Sequence, residues 1–407
     1  NSPVAPVYQE FLLHELHLQI GDFNLLSHGG ENLRMIEFIN DGLMTIFFLL
    51  VGLEIKRELL VGELSSFRKA ALPFIAACGG MLLPVLIFMS ICPPGSEGGQ
   101  GLAIPMATDI AFSLGVLSLL GSRVPLSLKI FLTAFAVVDD IGGILVIAIF
   151  YSSHVSYGYI LVAVLLYILL YFIGKRGATN KIFFLVIGVV IWYLFLQSGI
   201  HSTISGVILA FVIPAKPRLD VGKYIEHIRH TIAGFPVMES GSIVLTNEQI
   251  AKLKEVESAS DRVISPLQSF EDNLHGAVNY LILPLFAFVN AGVVFSGGGE
   301  LVGDVGIAVA AGLLFGKFAG IYFFTWLAIK IKLTPMPPGM TWTNLSGIAL
   351  LGGIGFTVSL FIANLSFGAN FPILLNQAKF GVLSGTILSG LLGYIVLWIV
   401  LPARRRK

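Results

Sequence analysis

The stretch that decides the fold runs from Lys129 to Phe150, KIFLTAFAVVDDIGGILVIAIF, and is almost entirely apolar except for Asp139 and Asp140 at its middle. At about 1.5 Å per residue, a helix of this length crosses a bilayer and places both carboxylates near its centre. A charge at that depth costs at least about 2.5 kcal/mol, and the second carboxylate must ionise beside the first. Because such carboxylates usually mark ion or proton pathways, the pair predicts a transport site; the alternative is a structural ion pair inside a helix bundle.

The composition of the whole chain also favours a membrane location. Of the 407 residues, 56% are hydrophobic and 12% are charged, and an ordinary soluble protein has about twice that charged fraction. Long continuous apolar runs argue against a porin-like barrel, whose strands give short alternating segments. The net charge of +1 indicates no nucleic-acid partner. Cys78 and Cys92 have neither metal-ligand spacing nor a disulfide framework. The sequence therefore predicts an all-α polytopic membrane protein embedded in a lipid bilayer.

Apolar spans fill residues 35–401, which we interpret as one transmembrane domain, after a polar region at residues 1–34. If the 56–69 loop is inside, nearly all of the 25 lysines and arginines are inside too, and the basic tail 402–407 is cytoplasmic. An odd number of spans with an outside start predicts that a first helix is missing upstream. The eleven predicted spans are 35–60, 70–92, 102–121, 126–150, 157–174, 181–197, 199–213, 275–296, 304–329, 344–367 and 378–401.

Two polar segments stand apart from these spans. Residues 214–274 carry prolines and mixed charges, and we predict an inserted, solvated cytoplasmic loop, because roughly sixty residues rarely build a stable core alone. Within residues 14–25, apolar Leu16, Leu18 and Ile20 alternate with polar residues before a Gly-Asp turn, which predicts a small periplasmic β-hairpin. Its edge is either solvated or pairs with a second copy, and the second alternative predicts a homodimer.

Two spans contain interruptions that are unusual inside a membrane helix. Pro105 precedes Thr108 and Asp109 in one span, and the glycine-rich run from Gly352 to Thr357 interrupts another. Each interruption alone could be a simple kink. Two interrupted spans in the two halves of a chain, however, are typical of transporters with inverted repeats, whose half-helix ends flank an ion site at the membrane midplane. The sequence therefore predicts two broken helices.

A lysine lies deep inside a late span. Lys317 is close to Gly312, Gly316 and Gly320, whose four-residue spacing lets a neighbouring backbone approach closely. A lysine at this depth needs a carboxylate or a group of carbonyls, and Asp139 is the natural candidate; the alternative is a side chain that snorkels to the interface. Such a pair would act as a switch if an arriving proton or cation released the lysine.

The remaining ionisable residues allow two interpretations each. Glu54 belongs either to an interfacial charge cluster or to an acidic mouth that attracts cations. His201, at the outer start of a span, either senses pH near neutrality or is an ordinary interfacial histidine. The oxygen ligands of Asp139 and Asp140 suit Na⁺, Li⁺ or H⁺ better than soft metals.

Taken together, these residues resemble the bacterial Na⁺/H⁺ antiporter family NhaA over nearly the whole chain. This family is itself an example of the inverted-repeat pattern, so the resemblance already includes the two broken helices. The resemblance implies a twelve-helix inner-membrane fold with two crossing discontinuous helices and electrogenic exchange. It is carried by Phe47–Leu59, Ala107–Phe112, Leu120–Pro125, the Asp139-Asp140 segment, Ser198–Thr203, Leu281–Gly292, Gly316-Lys317 and Gly353–Thr357.

The resemblance also implies roles for individual residues at the centre of the membrane. Asp140 matches the principal cation-binding carboxylate of the family. Asp139 matches its neighbour, which pairs with the lysine at Lys317. Thr108 and Asp109 match residues at the crossing, where an acid offsets the positive half-helix ends and the lysine offsets the negative ones.

Further matches lie nearer the membrane surface. Glu54 matches a residue of the cytoplasmic funnel, and Glu271 and His275 match residues implicated in the response to pH. The chain departs from the family pattern at Phe318, where the family has proline, and at Asp272, where some members have a second histidine. The 214–274 segment is also longer than in the best-known members.

These observations predict a secondary antiporter of the inner membrane that exports Na⁺ or Li⁺ against protons, without a cofactor. Protons and the cation would compete for Asp139 and Asp140. The alternative is a Na⁺-coupled symporter of an organic anion on a similar fold, which needs a roomy polar cavity. A membrane enzyme is disfavoured, because the sequence has no His-Glu-x-x-His or Gly-x-Ser-x-Gly motif.

Overall fold

The structure is a computed structural model in which helices account for most of the chain. It describes residues 4–20, 23–24, 26–28, 31–151, 155–177, 180–216, 221–235, 244–295, 302–368 and 370–402. The helices are α1 Ala5–Leu13, α2 Met35–Leu60, α3 Phe67–Ile91, α4 Ile110–Leu119, α5 Leu126–Phe150, α6 Tyr157–Lys175, α7 Lys181–Ser198, α8 Thr203–Val212, α9 Val221–Ala233, α10 Asn247–Val263, α11 Pro266–Ala277, α12 Leu283–Asn290, α13 Asp304–Lys330, α14 Trp342–Leu351, α15 Phe356–Phe367 and α16 Pro372–Val400.

Seven of the described helices are long and apolar enough to cross a membrane, namely α2, α3, α5, α6, α7, α13 and α16. Two bent helix pairs bring the number to nine if each pair is one span. The prediction of an all-α polytopic membrane protein is therefore confirmed. The other two predicted spans contain α8, which is short, and α12, which follows α11 after one irregular turn.

Both predicted broken helices are present. Short 3₁₀ turns at Glu97–Gly101 and Ile104–Met106 lead to α4 with a bend of 46°, and α14 leads to α15 with a bend of 44°. At the first break Ala107 is extended, with ψ of 145°. At the second break, Gly352 and Gly353 lie close to a neighbouring helix. A Cβ added to Gly352 would lie 2.4 Å from another atom, and one added to Gly353 would lie 2.3 Å from another, so a side chain at either position would collide.

The described residues include three π turns, in which i→i+5 hydrogen bonds replace the usual i→i+4 bonds. These turns lie at Phe38–Leu43 in α2, at Val278–Ile282 between α11 and α12, and at Gly312–Gly316 in α13. None of these turns is predictable from the apolar pattern, because a π turn leaves the apolar composition of a span unchanged.

The glycines of α13 allow close contact with α3, as their spacing predicts. A Cβ added to Gly320 would lie 2.1 Å from the carbonyl oxygen of Gly79, and one added to Gly316 would lie 2.6 Å from the Cα of Pro84. No side chain fits at such separations, so the two backbones are in direct contact. This contact fixes α13, and with it Lys317, against α3.

The polar segments also contain short elements. Gln19–Ile20 pairs antiparallel with Phe23–Asn24, and Ser27–His28 pairs with Glu31–Asn32. The Gly-Asp turn of the predicted hairpin lies outside the described residues, as do residues 403–407 of the basic tail. In the long insertion, α9 and α10 contact each other.

Candidate functional site

The two helix breaks meet at Asp109. The Asp109 amide donates to the carbonyl of Ile354 at 2.7 Å, and the Thr108 hydroxyl donates to the carbonyl of Gly352 at 2.8 Å. In return, the amide of Thr357 donates to Asp109 Oδ2 at 3.1 Å, and its hydroxyl donates to the same oxygen. These bonds tie the α4 break to the α14–α15 break, so the two discontinuous helices cross here.

Asp109 lies at the start of two helices at once. Its side chain caps α4 by accepting from the amide of Phe112 at 3.1 Å, and its other oxygen accepts from Thr357 in the first turn of α15. Each helix N-terminus carries roughly half a positive charge. A buried carboxylate between two such ends is compensated without any cationic side chain.

Asp139 is bound to Lys317. The ammonium nitrogen donates to Asp139 Oδ2 at 2.7 Å, and the two residues are only 1% and 0% exposed. The snorkelling alternative for Lys317 is therefore excluded, since its side chain stays within the protein. An ion pair this deep is stable only while both partners are present, because loss of one leaves a buried charge alone.

Asp140 has a different environment from its neighbour. Adjacent helix positions point about 100° apart, and Asp140 faces a cavity of about 960 Å³ whose lining does not include Asp139. Thr108 and Asp109 of the crossing also line this cavity. Asp140 is 8% exposed, so its carboxylate is the buried acid of this pair that an ion in the cavity can reach.

A cluster of charged side chains lies at the mouth of the same cavity, where α2 ends beside α11. Glu54 Oε1 is 3.4 Å from His275 Nε2, and both residues line the cavity. Arg57 forms an ion pair with Glu271 and lies 3.4 Å from Glu58. Burial raises the pKa of Glu271, whereas the positive charge of Arg57 acts to lower it. The structure thus brings together the three mouth residues that the resemblance singles out, Glu54, Glu271 and His275.

His201 is not part of this cavity. Its Nδ1 is 3.8 Å from a carboxylate oxygen of Asp41, and its ring contacts the Phe361 ring edge-on with centroids 5.5 Å apart. Both His201 and Asp41 line a second cavity of about 310 Å³. The lining residues of the two cavities do not overlap.

A cluster of aromatic rings and a cluster of asparagine side chains lie beside His201. The Phe361 ring contacts the Phe48 ring at 5.5 Å and the Phe286 ring at 6.4 Å. One helical turn further along α15, Asn364 donates to the side-chain oxygen of Asn290 at 2.9 Å. Asn290 in turn donates to the side-chain oxygen of Asn40 at 2.7 Å. This asparagine cluster joins α2, α12 and α15.

Thr357 and the three asparagines were not predicted as site residues from the sequence. Thr357 stands in the glycine-rich run, and its link to Asp109 spans 248 residues. The asparagines occupy unrelated positions in separate segments. Their only sequence signal is an amide within an apolar stretch, and spacing cannot show that the three meet.

Two broken helices that cross at a buried acid, with a second acid facing a deep cavity, define a membrane ion transporter. The Na⁺/H⁺ antiporter 1 family profile matches residues 1–397. The chain is similar to the Na⁺/H⁺ antiporter NhaA of Bacteroides thetaiotaomicron, with 95% identity over all of this chain and 93% of the relative. It is 81% identical to NhaA of Bacteroides fragilis over 100% of this chain and 93% of the relative, and 47% identical to NhaA of Porphyromonas gingivalis over 98% and 89%.

The chain therefore belongs to the Na⁺/H⁺ antiporter family, and the resemblance found in the sequence is confirmed. Its relatives are named as transporters of Na⁺ and H⁺. Together with the apolar helices, this membership makes the protein a multi-pass transmembrane antiporter.

Proposed function

We propose that this antiporter exports Na⁺ or Li⁺ in exchange for protons, with both ions competing for Asp139 and Asp140. The observation that carries the proposal is the unequal environment of the two neighbours. Asp139 is neutralised by Lys317 at 2.7 Å, whereas Asp140 faces the cavity. A buried carboxylate that holds neither a proton nor a cation is too costly to move through the protein. The site therefore reorients only when a cation or a proton occupies Asp140.

The same geometry supports electrogenic exchange. A cation held by both carboxylates displaces the proton of Asp140 and breaks the Lys317–Asp139 ion pair. The freed ammonium, buried and without a partner, then loses its proton as well, because burial favours the neutral amine. One cation leaves and two protons enter, so one positive charge moves inward in each cycle. Thr108 and Asp109 line the cavity beside Asp140 and keep the crossing in place.

In our proposal, the charged residues at the mouth indicate the side of the membrane on which the cavity opens. The positive-inside rule places the end of α2 in the cytoplasm, so Glu54, Glu271 and His275 surround a cytoplasmic entrance and contribute to the response to pH. His201 lies at the outer end and has no part in this entrance. We place the protein in the bacterial inner membrane with its C-terminus in the cytoplasm. A homodimer through residues 14–25 stays a prediction.

A Na⁺-coupled symporter of an organic anion fits the cavity less well. Of the charged residues that line it, Asp109 and Asp140 lie deep, with Glu54, Arg57 and His275 at the mouth. An anion in the inner part would face two carboxylates and no cationic side chain of the cavity wall. Coulomb interactions there favour a cation.

Inside-out vesicles with an imposed pH gradient test the proposal. We expect Na⁺ or Li⁺ to dissipate the gradient in vesicles with the unmodified chain, and Asp140→Asn to abolish this response. Asp304→Asn is the matched control, because Asp304 is an exposed carboxylate in the first turn of α13. A gradient that is indifferent to both ions between about pH 6.5 and 8.5 would refute the proposal, as would full activity of Asp140→Asn.

A further inference from the structure

We propose that Glu54, Glu271 and His275 form a second, inhibitory site for a divalent transition-metal ion such as Zn²⁺. Each residue offers one ligand atom, and the three atoms lie within 4.8 Å of one another. Glu271 and His275 are four residues apart on α11, so they share one face of that helix. Glu54 approaches from α2. One nitrogen and two carboxylate oxygens are a ligand set that zinc, cobalt and nickel bind in proteins.

The separation of two of the three ligand atoms matches the spacing in a zinc site. Zinc bonds of about 2.1 Å at tetrahedral angles separate neighbouring ligand atoms by roughly 3.4 Å. Glu54 Oε1 and His275 Nε2 are 3.4 Å apart. Three protein ligands leave a fourth position for water, as in open zinc sites.

Glu271 supplies an independent observation. The residue is 3% exposed, and Arg57 occupies its Oε1. Its Oε2 is buried and accepts no hydrogen bond from the part of the chain that the structure describes. A buried carboxylate oxygen without a partner is unfavourable. A metal ion bound to Oε2 supplies the missing partner and leaves the Arg57 ion pair in place.

The local charge and the neighbouring amide also favour a divalent ion. The Arg57 guanidinium pairs with Glu58 and Glu271, and Glu54 lies beside His275, so three carboxylates share one guanidinium and one imidazole. The side chain of Asn279 lies 2.9 Å from His275 Nδ1. When a metal displaces the Nε2 proton, the amide can turn its oxygen to accept from Nδ1–H, which orients the ring for binding.

The position of the site determines its effect. Glu54 and His275 line the cavity that leads to Asp140, so a metal ion there joins α2 to α11 across the entrance. This bridge obstructs the path to the carboxylates and restrains the two helices. The inhibition rests on the proposed antiport, whereas metal binding itself does not.

Binding can be measured without transport by titrating the purified, detergent-solubilised chain with Co²⁺. A nitrogen–oxygen site with few ligands gives visible absorption bands. We expect saturable binding of one ion, and we expect His275→Ala and Glu271→Gln each to weaken it at least about tenfold. His227→Ala is the matched control, because His227 Nε2 also lies 3.5 Å from a glutamate, Glu255, but both side chains are exposed. Absence of saturable binding, or equal binding in His275→Ala, would overturn the site.

Transport is measured separately in inside-out vesicles with Zn²⁺ added on the entrance side. We expect Zn²⁺ to slow Na⁺-driven proton movement in the unmodified chain and to have at least about tenfold lower potency in His275→Ala, each compared with its own rate. Cobalt binding without zinc inhibition would contradict the regulatory role. Failure of Na⁺ to move protons in the metal-free vesicles would instead contradict the proposed function.

Discussion

Asp109 shows how one residue can serve two helices. The carboxylate accepts from the first turns of both α4 and α15. Two helix ends of roughly half a charge each offset one full negative charge. The crossing therefore needs no cationic side chain of its own, and in our proposal Asp140 is the acid whose charge an arriving ion neutralises.

The buried ion pair between Lys317 and Asp139 leads to a prediction about stability. Because both are buried and joined at 2.7 Å, Lys317→Met leaves a lone buried carboxylate and should cost about 3–5 kcal/mol. Adding Asp139→Asn removes that charge as well, so we expect the double variant to regain most of the loss. Thermal unfolding in detergent, followed by tryptophan fluorescence, measures both effects.

The control for this pair is Lys330→Met, which removes an exposed lysine at the end of the same helix. We expect its unfolding temperature to stay close to that of the unmodified chain. A double variant no more stable than Lys317→Met would show that the charge pair does not account for the loss.

The depth of these side chains was predictable from the sequence, but their partners were predictable only in part. A charge in a long apolar run is visible at once, which is why Asp139, Asp140 and Lys317 stand out. Thr357 does not, because a threonine is common in membrane helices and its role depends on a carboxylate far away in the chain.

At the scale of elements, α3 and α13 touch backbone to backbone at Gly79 and Gly320. Gly79 and Gly320 face each other so closely that either Cβ would lie within 2.4 Å of the opposite carbonyl oxygen. Small residues of this kind are how membrane helices gain packing energy where lipid offers no hydrophobic drive.

Gly320→Ala should therefore be strongly destabilising, by about 1–3 kcal/mol or more, because backbone atoms cannot move aside as a side chain can. Gly158→Ala is the control, since nothing lies within 4 Å of the added Cβ at that position in α6. There alanine should be neutral or slightly stabilising. Equal unfolding temperatures for the two variants would contradict the close backbone contact.

The broken helices could be predicted because proline and clustered glycine leave a clear mark in an apolar run. The bounds of the elements could not, since apolar composition extends beyond hydrogen-bonded helix. The predicted span 102–121 illustrates this, because its first part forms 3₁₀ turns and only Ile110–Leu119 is α-helical.

At the scale of the whole molecule, the described residues enclose a cavity of about 960 Å³ that reaches Asp140 and a separate cavity of about 310 Å³ beside His201. The cluster of aromatic rings around Phe361 and the asparagine cluster around Asn290 lie beside the smaller cavity, near His201. A transporter of this type must keep at least one side closed at all times. The structure thus represents a state in which Asp140 is reached from the side where α2 ends.

The orientation of the molecule can be tested with single cysteines in a chain that lacks Cys78 and Cys92. Lys254 in α10 and Arg34 before α2 are both exposed. Since the positive-inside rule places Lys254 in the cytoplasm, we expect an impermeant maleimide to label Lys254→Cys only in inside-out vesicles. It should label Arg34→Cys only in spheroplasts.

A permeant maleimide is the control and should label both positions in either preparation. The reverse labelling pattern would invert the orientation. Among whole-molecule properties, the orientation is predicted by the distribution of lysine and arginine in the sequence. The pairing of residues 14–25 with a second copy is not, because an unpaired strand edge can equally face water.

The π turn at Gly312–Gly316 has a consequence for how this site can change over evolutionary time. Such a turn holds one residue more than an α-helical turn, so every later side chain is rotated by about 100° from the direction that an uninterrupted helix would give it. Lys317 is the first residue after the turn. A one-residue deletion here would leave every charged residue in the chain yet aim the lysine away from Asp139. The ion pair thus depends on the number of residues in Gly312–Gly316 as much as on the identity of Lys317 and Asp139.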